Sequence, residues 1–170
     1  MIQLRILINC VGCVMALEAR LRGYRVHAAE QYFTGKLDEL SHHPFWAWID
    51  KNSGKKCEGV DINAQTAREC IKEIENIVKN GQRYNFVYYT EHILGGKNKS
   101  IHHVISIDRD NNGVLRFYDP QSDSLRQDEL IEGNIEAVVN LKNAKLPLQI
   151  LKADDKINNS EFAGVALTSD

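Results

Sequence analysis

The sequence lacks an apolar run of transmembrane length, a strong net charge, and any internal repeat or low-complexity segment. Its 170 residues carry a net charge of -2, without a basic stripe interleaved with aromatics, so neither a nucleic-acid partner nor a membrane is indicated. The segment 1–8, an extended lead-in, is too weakly apolar for a secretory signal. We expect a single domain over residues 1–170, made in the cytoplasm.

Cysteine is also scarce, with four residues in the chain. A domain of this size does not need a disulfide framework, so free thiols are expected. Cys10-x-x-Cys13 is compatible with a redox pair or half of a zinc site as well as with catalysis. A thioredoxin-like site would require a strand–helix–strand pattern, which is missing here. A zinc site would need further ligands from side chains that show no matching spacing: Cys57, Cys70, His42 and His43. We therefore predict no metal and no cofactor.

Helical patterns come first along the chain, and strand patterns follow. The periodicity predicts helices over 10–22, 44–49, 64–80 and 125–132, and extended or buried segments over 24–28, 84–89, 103–108, 114–119, 137–141 and 148–151. Asn63 is the predicted cap of the 64–80 helix, and 95–99 is a predicted loop. Helices followed by antiparallel strands indicate an α+β fold.

The helix predicted over 10–22 places a thiol at its first position. Asn9 has the side chain of a good N-cap, and Gly23 stands where a helix commonly ends. The positive end of the helix dipole then favours the thiolate of Cys10, which is the nucleophilic form of cysteine. Cys10 is therefore a candidate nucleophile, and Cys13, one turn later, is expected to support the core.

A predicted hairpin supplies the base that a cysteine nucleophile needs. His103 begins one strand and Asp119 ends its partner, and the turn 110–113 between them is a strong hairpin signal. The start of the first strand lies beside the end of the second in such a hairpin, so the two side chains are expected to be neighbours. His102 points to the opposite face and is expected to be solvent-facing.

Three short motifs occur in an order that resembles a known family. The first motif runs from Asn9-Cys10-x-x-Cys13 through Ala16-x-Glu18-x-Arg20-x-Arg22-Gly23-Tyr24-x-Val26-x-Ala28. The second comprises His102-His103-Val104-Ile105, Gly113-Val114 and Tyr118-Asp119-Pro120-Gln121. The third is Leu151-Lys152-Ala153-Asp154, with lysine in place of an expected arginine. Together they resemble the papain-fold toxin domains, also called toxin glutamine deamidases, of bacterial polymorphic toxins and some phage head proteins. The resemblance covers roughly 9–28, 83–122 and 147–155.

The resemblance implies a papain-like fold in which the helix carrying the cysteine packs on the antiparallel sheet carrying histidine and aspartate. It implies that Cys10 is the nucleophile, His103 the general base and acid, and Asp119 the residue that orients the imidazole. Backbone N–H groups at the helix start, around Asn9 and Val11, would stabilise the oxyanion. Gln121 is either a turn residue or a hydrogen-bonding group for the substrate.

The activity implied is hydrolysis of a protein glutamine side chain to glutamate, with release of ammonia through a thioester. The chain would be the C-terminal toxin module of a larger bacterial or phage protein. A secretion system would deliver it into a target cell, where it would meet a protein substrate, and a cognate immunity protein would neutralise it. A cysteine protease, isopeptidase or transglutaminase would use the same triad. An inactive binding module is the alternative of another class.

Overall fold

A six-stranded antiparallel sheet forms the centre of the computed structural model, which describes residues 9–29, 35–94, 97–122, 124–126, 133, 135–136 and 147–169. The described helices are α1 (Cys10–Leu21), α2 (Gly35–His42), α3 (Ala67–Ile77) and α4 (Ser160–Ala166), with a 3-10 turn over Pro44–Ala47. The described strands are β1 (Val26–Ala28), β2 (Trp48–Ile49), β3 (Val60–Ile62), β4 (Arg83–Leu94), β5 (Lys97–Arg109), β6 (Leu115–Asp119), β7 (Ser124–Arg126), β8 (Leu148–Lys152), β9 (Ile157–Asn158) and β10 (Leu167–Ser169). The order in the sheet is β3-β8-β4-β5-β6-β7.

The sheet separates two hydrophobic clusters. Phe86 and Ile105 pair across β4 and β5 and pack with α3, whereas the next pair, Val87 and Val104, packs with α1. This division follows from the alternation of side chains along a strand. The α+β class predicted from the sequence is confirmed, and the fold positions α1 and α3 on opposite faces of the sheet. None of the described helices combines the length and the apolar character needed to span a membrane.

The start of α1 at Cys10 agrees with the sequence prediction, and its end differs by one residue. Val14 and Met15 are fully buried on the helix face that packs against the sheet. Gly23 follows the helix with a φ of 91°, a left-handed conformation that glycine adopts without strain. The spacing of apolar residues and the terminal glycine thus determine this helix locally.

The prediction for α3 was wrong at its start. The helix begins at Ala67, and its cap is Thr66 rather than Asn63. Thr66 accepts a hydrogen bond from the backbone N–H of Glu69, while the Glu69 carboxylate accepts one from the N–H of Thr66. This reciprocal capping box satisfies two N–H groups at once, which a lone asparagine three residues earlier does not.

Other boundaries also differ from the sequence predictions. The helix expected over 44–49 is a 3-10 turn followed by β2, and β5 begins at Lys97, within the expected loop 95–99. Residues 125–126 belong to β7 instead of a helix. The remainder of the expected helix at 127–132, the expected strand at 137–141 and the lead-in at 1–8 lie outside the described residues.

A buried ion cluster anchors α1 to the sheet. The Glu18 carboxylate is fully buried, and both of its oxygens lie 3.1 Å from guanidinium nitrogens of Arg83, the first residue of β4. Arg22 approaches the same carboxylate at 3.4 Å and donates to the carbonyl of Ala153 at 2.9 Å. Two arginines thus compensate one buried negative charge, and the cluster fixes α1 against the strand next to β5.

We expect Glu18→Ala to lower the free energy of unfolding by about 3–5 kcal/mol, because it leaves buried guanidinium charge without a partner. The matched control is Arg116→Ala, which breaks an exposed pair with Asp108 and is expected to cost at most about 1 kcal/mol. Urea unfolding of both variants measures the difference. Equal losses would show that burial of Glu18 adds nothing to the strength of its cluster.

Candidate active site

His103 and Asp119 form a direct hydrogen bond across the end of the β5–β6 ladder. The paired residues of β5 and β6 run from Arg109–Leu115 to Ser106–Tyr118. His103 and Asp119 lie beyond the Ser106–Tyr118 pair, at the same end of the ladder. Nε2 of His103 is 2.9 Å from Oδ2 of Asp119. The side chains are largely buried, at 14% and 3% exposure. The expectation that they are neighbours is confirmed.

Cys10 lies beside the His103–Asp119 pair. Its side chain is close enough to the imidazole to raise the pKa of His103, and its residue is only 2% exposed. Nε2 of the imidazole is used by Asp119, so Nδ1 is the ring nitrogen left for the thiol. Cys10 belongs to the cluster on the α1 face of the sheet, so the helix start brings the sulfur to the hairpin.

Burial opposes a charge on His103, but its partners outweigh it. Hydrogen bonds to Asp119 and Cys10, with the charges of both groups, raise the pKa of His103 from 6.5 to about 9. The imidazolium is thus the favoured form at neutral pH. A protonated imidazole beside a thiol stabilises the thiolate, and the arrangement can form the ion pair that nucleophilic cysteines use.

His103 is expected to titrate near pH 9 and its neighbour His102 near pH 4 in an NMR titration of the ring protons. Since the folded-state pKa of His103 is raised, its contribution to stability is complete below pH 6.5 and is lost as the pH rises to about 9. The loss is on the order of 1–3 kcal/mol. A His103 titration at or below pH 6.5 would contradict the interaction with Asp119 and Cys10.

Cys13 and His102 are the alternative thiol and imidazole near the candidate site, and both are uncharged at neutral pH. Burial, together with the charges of Cys10 and Asp119, raises the pKa of Cys13 to about 12 despite the opposing effect of Arg20, so its thiol stays protonated. Burial, with His103 and His42 nearby, lowers the pKa of His102 to about 4. The expectation that His102 faces solvent was wrong, because it is half-buried close to the end of α2.

Asn9 occupies the cap position of α1, but its side chain makes no capping hydrogen bond, so the predicted side-chain cap was wrong. Its Oδ1 is buried without a partner and lies 2.5 Å from the position that a Cβ on Gly12 would take. A larger residue at position 12 would therefore displace Asn9. The first N–H groups of a helix have no acceptor within it, and here the Asn9 side chain does not take up those of Val11 and Gly12. These two backbone N–H groups are hydrogen-bond donors in the helical turn that begins at Cys10.

Gln121 follows Asp119 in a tight turn. Its backbone N–H donates to Oδ1 of Asp119 at 3.1 Å, so the carboxylate has a partner on each oxygen. The side-chain Oε1 of Gln121 is buried and has no hydrogen-bond partner among the described residues. The residue therefore has a structural role through its backbone and a buried amide acceptor two positions from the site.

The alternative readings of the cysteines gain no geometric support within the described residues. No group of three or more histidine, cysteine or acidic side chains is arranged to hold a metal there. Cys57 lies in the cluster on the α1 face and Cys70 in the cluster on the α3 face, so the sheet separates them. All four cysteines are free thiols.

The sequence reasoning missed Tyr88. It stands opposite His103 in the β4–β5 register, with its ring nearly perpendicular to the imidazole at a centroid distance of 5.5 Å. The strand of aromatic residues was predicted, but the contact of this ring with the histidine depends on the register of β4 and β5.

Comparison of the chain with protein-family models, with curated proteins and with solved structures gave no match.

Proposed function

We propose that this protein is a cysteine-dependent amidohydrolase with a papain-like arrangement, which deamidates glutamine side chains of a protein substrate. The observation that carries the proposal is the 2.9 Å hydrogen bond between His103 and Asp119, beside a buried Cys10 whose side chain is close enough to raise the pKa of the imidazole. A helix start, an imidazole with a raised pKa and a buried carboxylate are the three components that activate a thiol nucleophile.

The reaction proceeds through two acyl-transfer steps. The Cys10 thiolate attacks the amide carbon, and first-turn N–H groups of α1 stabilise the oxyanion. His103 gives its proton to the departing nitrogen, so ammonia leaves and a thioester remains. Water then loses a proton to His103 and attacks the thioester, which releases glutamate and regenerates the thiol. Asp119 holds the imidazole in one orientation and stabilises its charge.

Two features favour a side-chain amide over a peptide bond as the substrate. Cys10 is 2% exposed, and a thin glutamine side chain reaches a buried thiol more easily than an extended main chain does. The buried, unpartnered Oε1 of Gln121 is an acceptor for the N–H groups of a primary amide. Gln121 is therefore assigned to substrate binding in this proposal.

The biological setting follows from the motif resemblance described above. We propose a toxin module of a bacterial or phage protein that acts inside a target cell, and a cognate immunity protein that binds it. The motifs around Cys10, His103 and Asp119 support this setting together, since each of them is short.

Intact-mass analysis of candidate protein substrates tests the proposal. Deamidation of one glutamine raises the substrate mass slightly without cleavage, whereas a protease or isopeptidase produces fragments, and a transglutaminase adds the mass of an amine. An inactive binding module changes no mass. The expected result is the small mass increase with this chain and none with its Cys10→Ala variant.

A further inference from the structure

The ring of Tyr88, a residue outside the triad, packs against the imidazole of His103. Tyr88 is 1% exposed, and its ring meets the His103 imidazole at an interplanar angle of 83° and a centroid distance of 5.5 Å. Phe86 stacks on Tyr88 from the same strand at 5.8 Å. The Tyr88 ring is thus held from behind by the core and cannot move away from the imidazole without disturbing that core.

The imidazole needs such a restraint because its last torsion is soft. The rotation of a histidine ring about Cβ–Cγ has broad, roughly two-fold preferences. A half turn would exchange Nε2 with a ring carbon at Asp119 and Nδ1 with a ring carbon at Cys10. One hydrogen bond to Asp119 fixes one edge of the ring, and a perpendicular aromatic neighbour sterically opposes the half turn.

We propose that Tyr88 is a positioning residue, whose ring keeps the His103 imidazole oriented with one nitrogen on Asp119 and the other towards Cys10. The inference rests on the proposed cysteine chemistry, but it concerns the geometry of the thiol–imidazole pair and does not depend on which amide is hydrolysed. The ring of the tyrosine carries this role, so phenylalanine at position 88 preserves it.

The test compares three variants of the full chain. Tyr88→Met removes the ring and largely fills its volume, and Tyr88→Phe keeps the ring. Ile74→Ala removes apolar volume from the same cluster, but on α3 rather than on the strand that carries Tyr88. The readout is the rate of Cys10 alkylation by iodoacetamide between pH 5 and pH 10, with the modified cysteine identified by peptide mass. Thermal unfolding of each variant is measured alongside.

Tyr88→Met is expected to lower Cys10 alkylation at neutral pH by about tenfold or more and to move the profile to higher pH, because a misplaced imidazole no longer stabilises the thiolate. Tyr88→Phe and Ile74→Ala are expected to keep the wild-type profile, although Ile74→Ala loses thermal stability. Tyr88→Ile, which suits a strand, replaces Tyr88→Met if the latter does not fold.

The proposal is overturned if Ile74→Ala shifts the profile as much as Tyr88→Met does, since the effect would then be one of core stability. It is also overturned if Tyr88→Phe behaves like Tyr88→Met, because the hydroxyl would then carry the role. The two proposals can fail separately. If the pH profile of Cys10 alkylation depends on Tyr88 but the protein deamidates no glutamine, the positioning role is supported and deamidation is refuted.

Discussion

Cys10→Ala is expected to lower the rate of amide hydrolysis by about 10⁴-fold or more while the chain still folds. Alanine removes the only thiol that contacts His103 among the described residues, so no thioester can form. The small, buried side chain makes a modest contribution to packing compared with its chemical role. Ammonia release from a glutamine-containing peptide measures the rate, and thermal unfolding measures the stability.

Cys13→Ala is the matched control, because it removes a thiol one turn further along the same helix. The high pKa of Cys13 keeps that thiol protonated, so near wild-type activity is expected. If Cys10→Ala kept full activity, or if Cys13→Ala lost as much, the assignment of Cys10 as nucleophile would be wrong.

Asp119→Asn is expected to reduce kcat by up to about 10⁴-fold with a smaller effect on KM. The amide removes the negative charge that raises the pKa of His103, and its NH₂ group can occupy the position that Oδ2 holds 2.9 Å from Nε2. Both changes favour the wrong tautomer and destabilise the imidazolium. Kinetics over a pH series and an NMR titration of His103 measure the two effects.

Asp108→Asn provides the control for this second prediction. Asp108 lies on β5, the strand paired with the one that carries Asp119, and its carboxylate forms an exposed pair with Arg116. We expect unchanged kcat and an unchanged His103 titration. A wild-type kcat in Asp119→Asn would show that His103 does not need an orienting carboxylate. It would therefore refute the triad.

The parts of the site that could be predicted from the sequence depend on local rules. The helix start at Cys10 follows from the apolar spacing, and the proximity of His103 to Asp119 follows from the turn of a tight hairpin. These signals lie within a few residues of the groups they position. They can therefore be recognised in the sequence without knowledge of the tertiary structure.

The parts that could not be predicted depend on contacts between distant segments. Asn9 has the right side chain for a cap, yet tertiary packing buries its Oδ1 over Gly12 and leaves the cap bond unmade. Tyr88 meets His103 only through the register of two long strands, and His102 is half-buried because α2 packs nearby. Propensity and periodicity carry no information on any of these three contacts.

The groups around His103 come from both hydrophobic clusters, which has a consequence for how the activity depends on the fold. Tyr88 belongs to the cluster beneath α3, whereas Cys10 belongs to the cluster beneath α1. Both clusters must therefore be packed at the same time for the thiol, the imidazole and the aromatic ring to meet. Activity is thus expected to be lost when either side of the sheet is loosened.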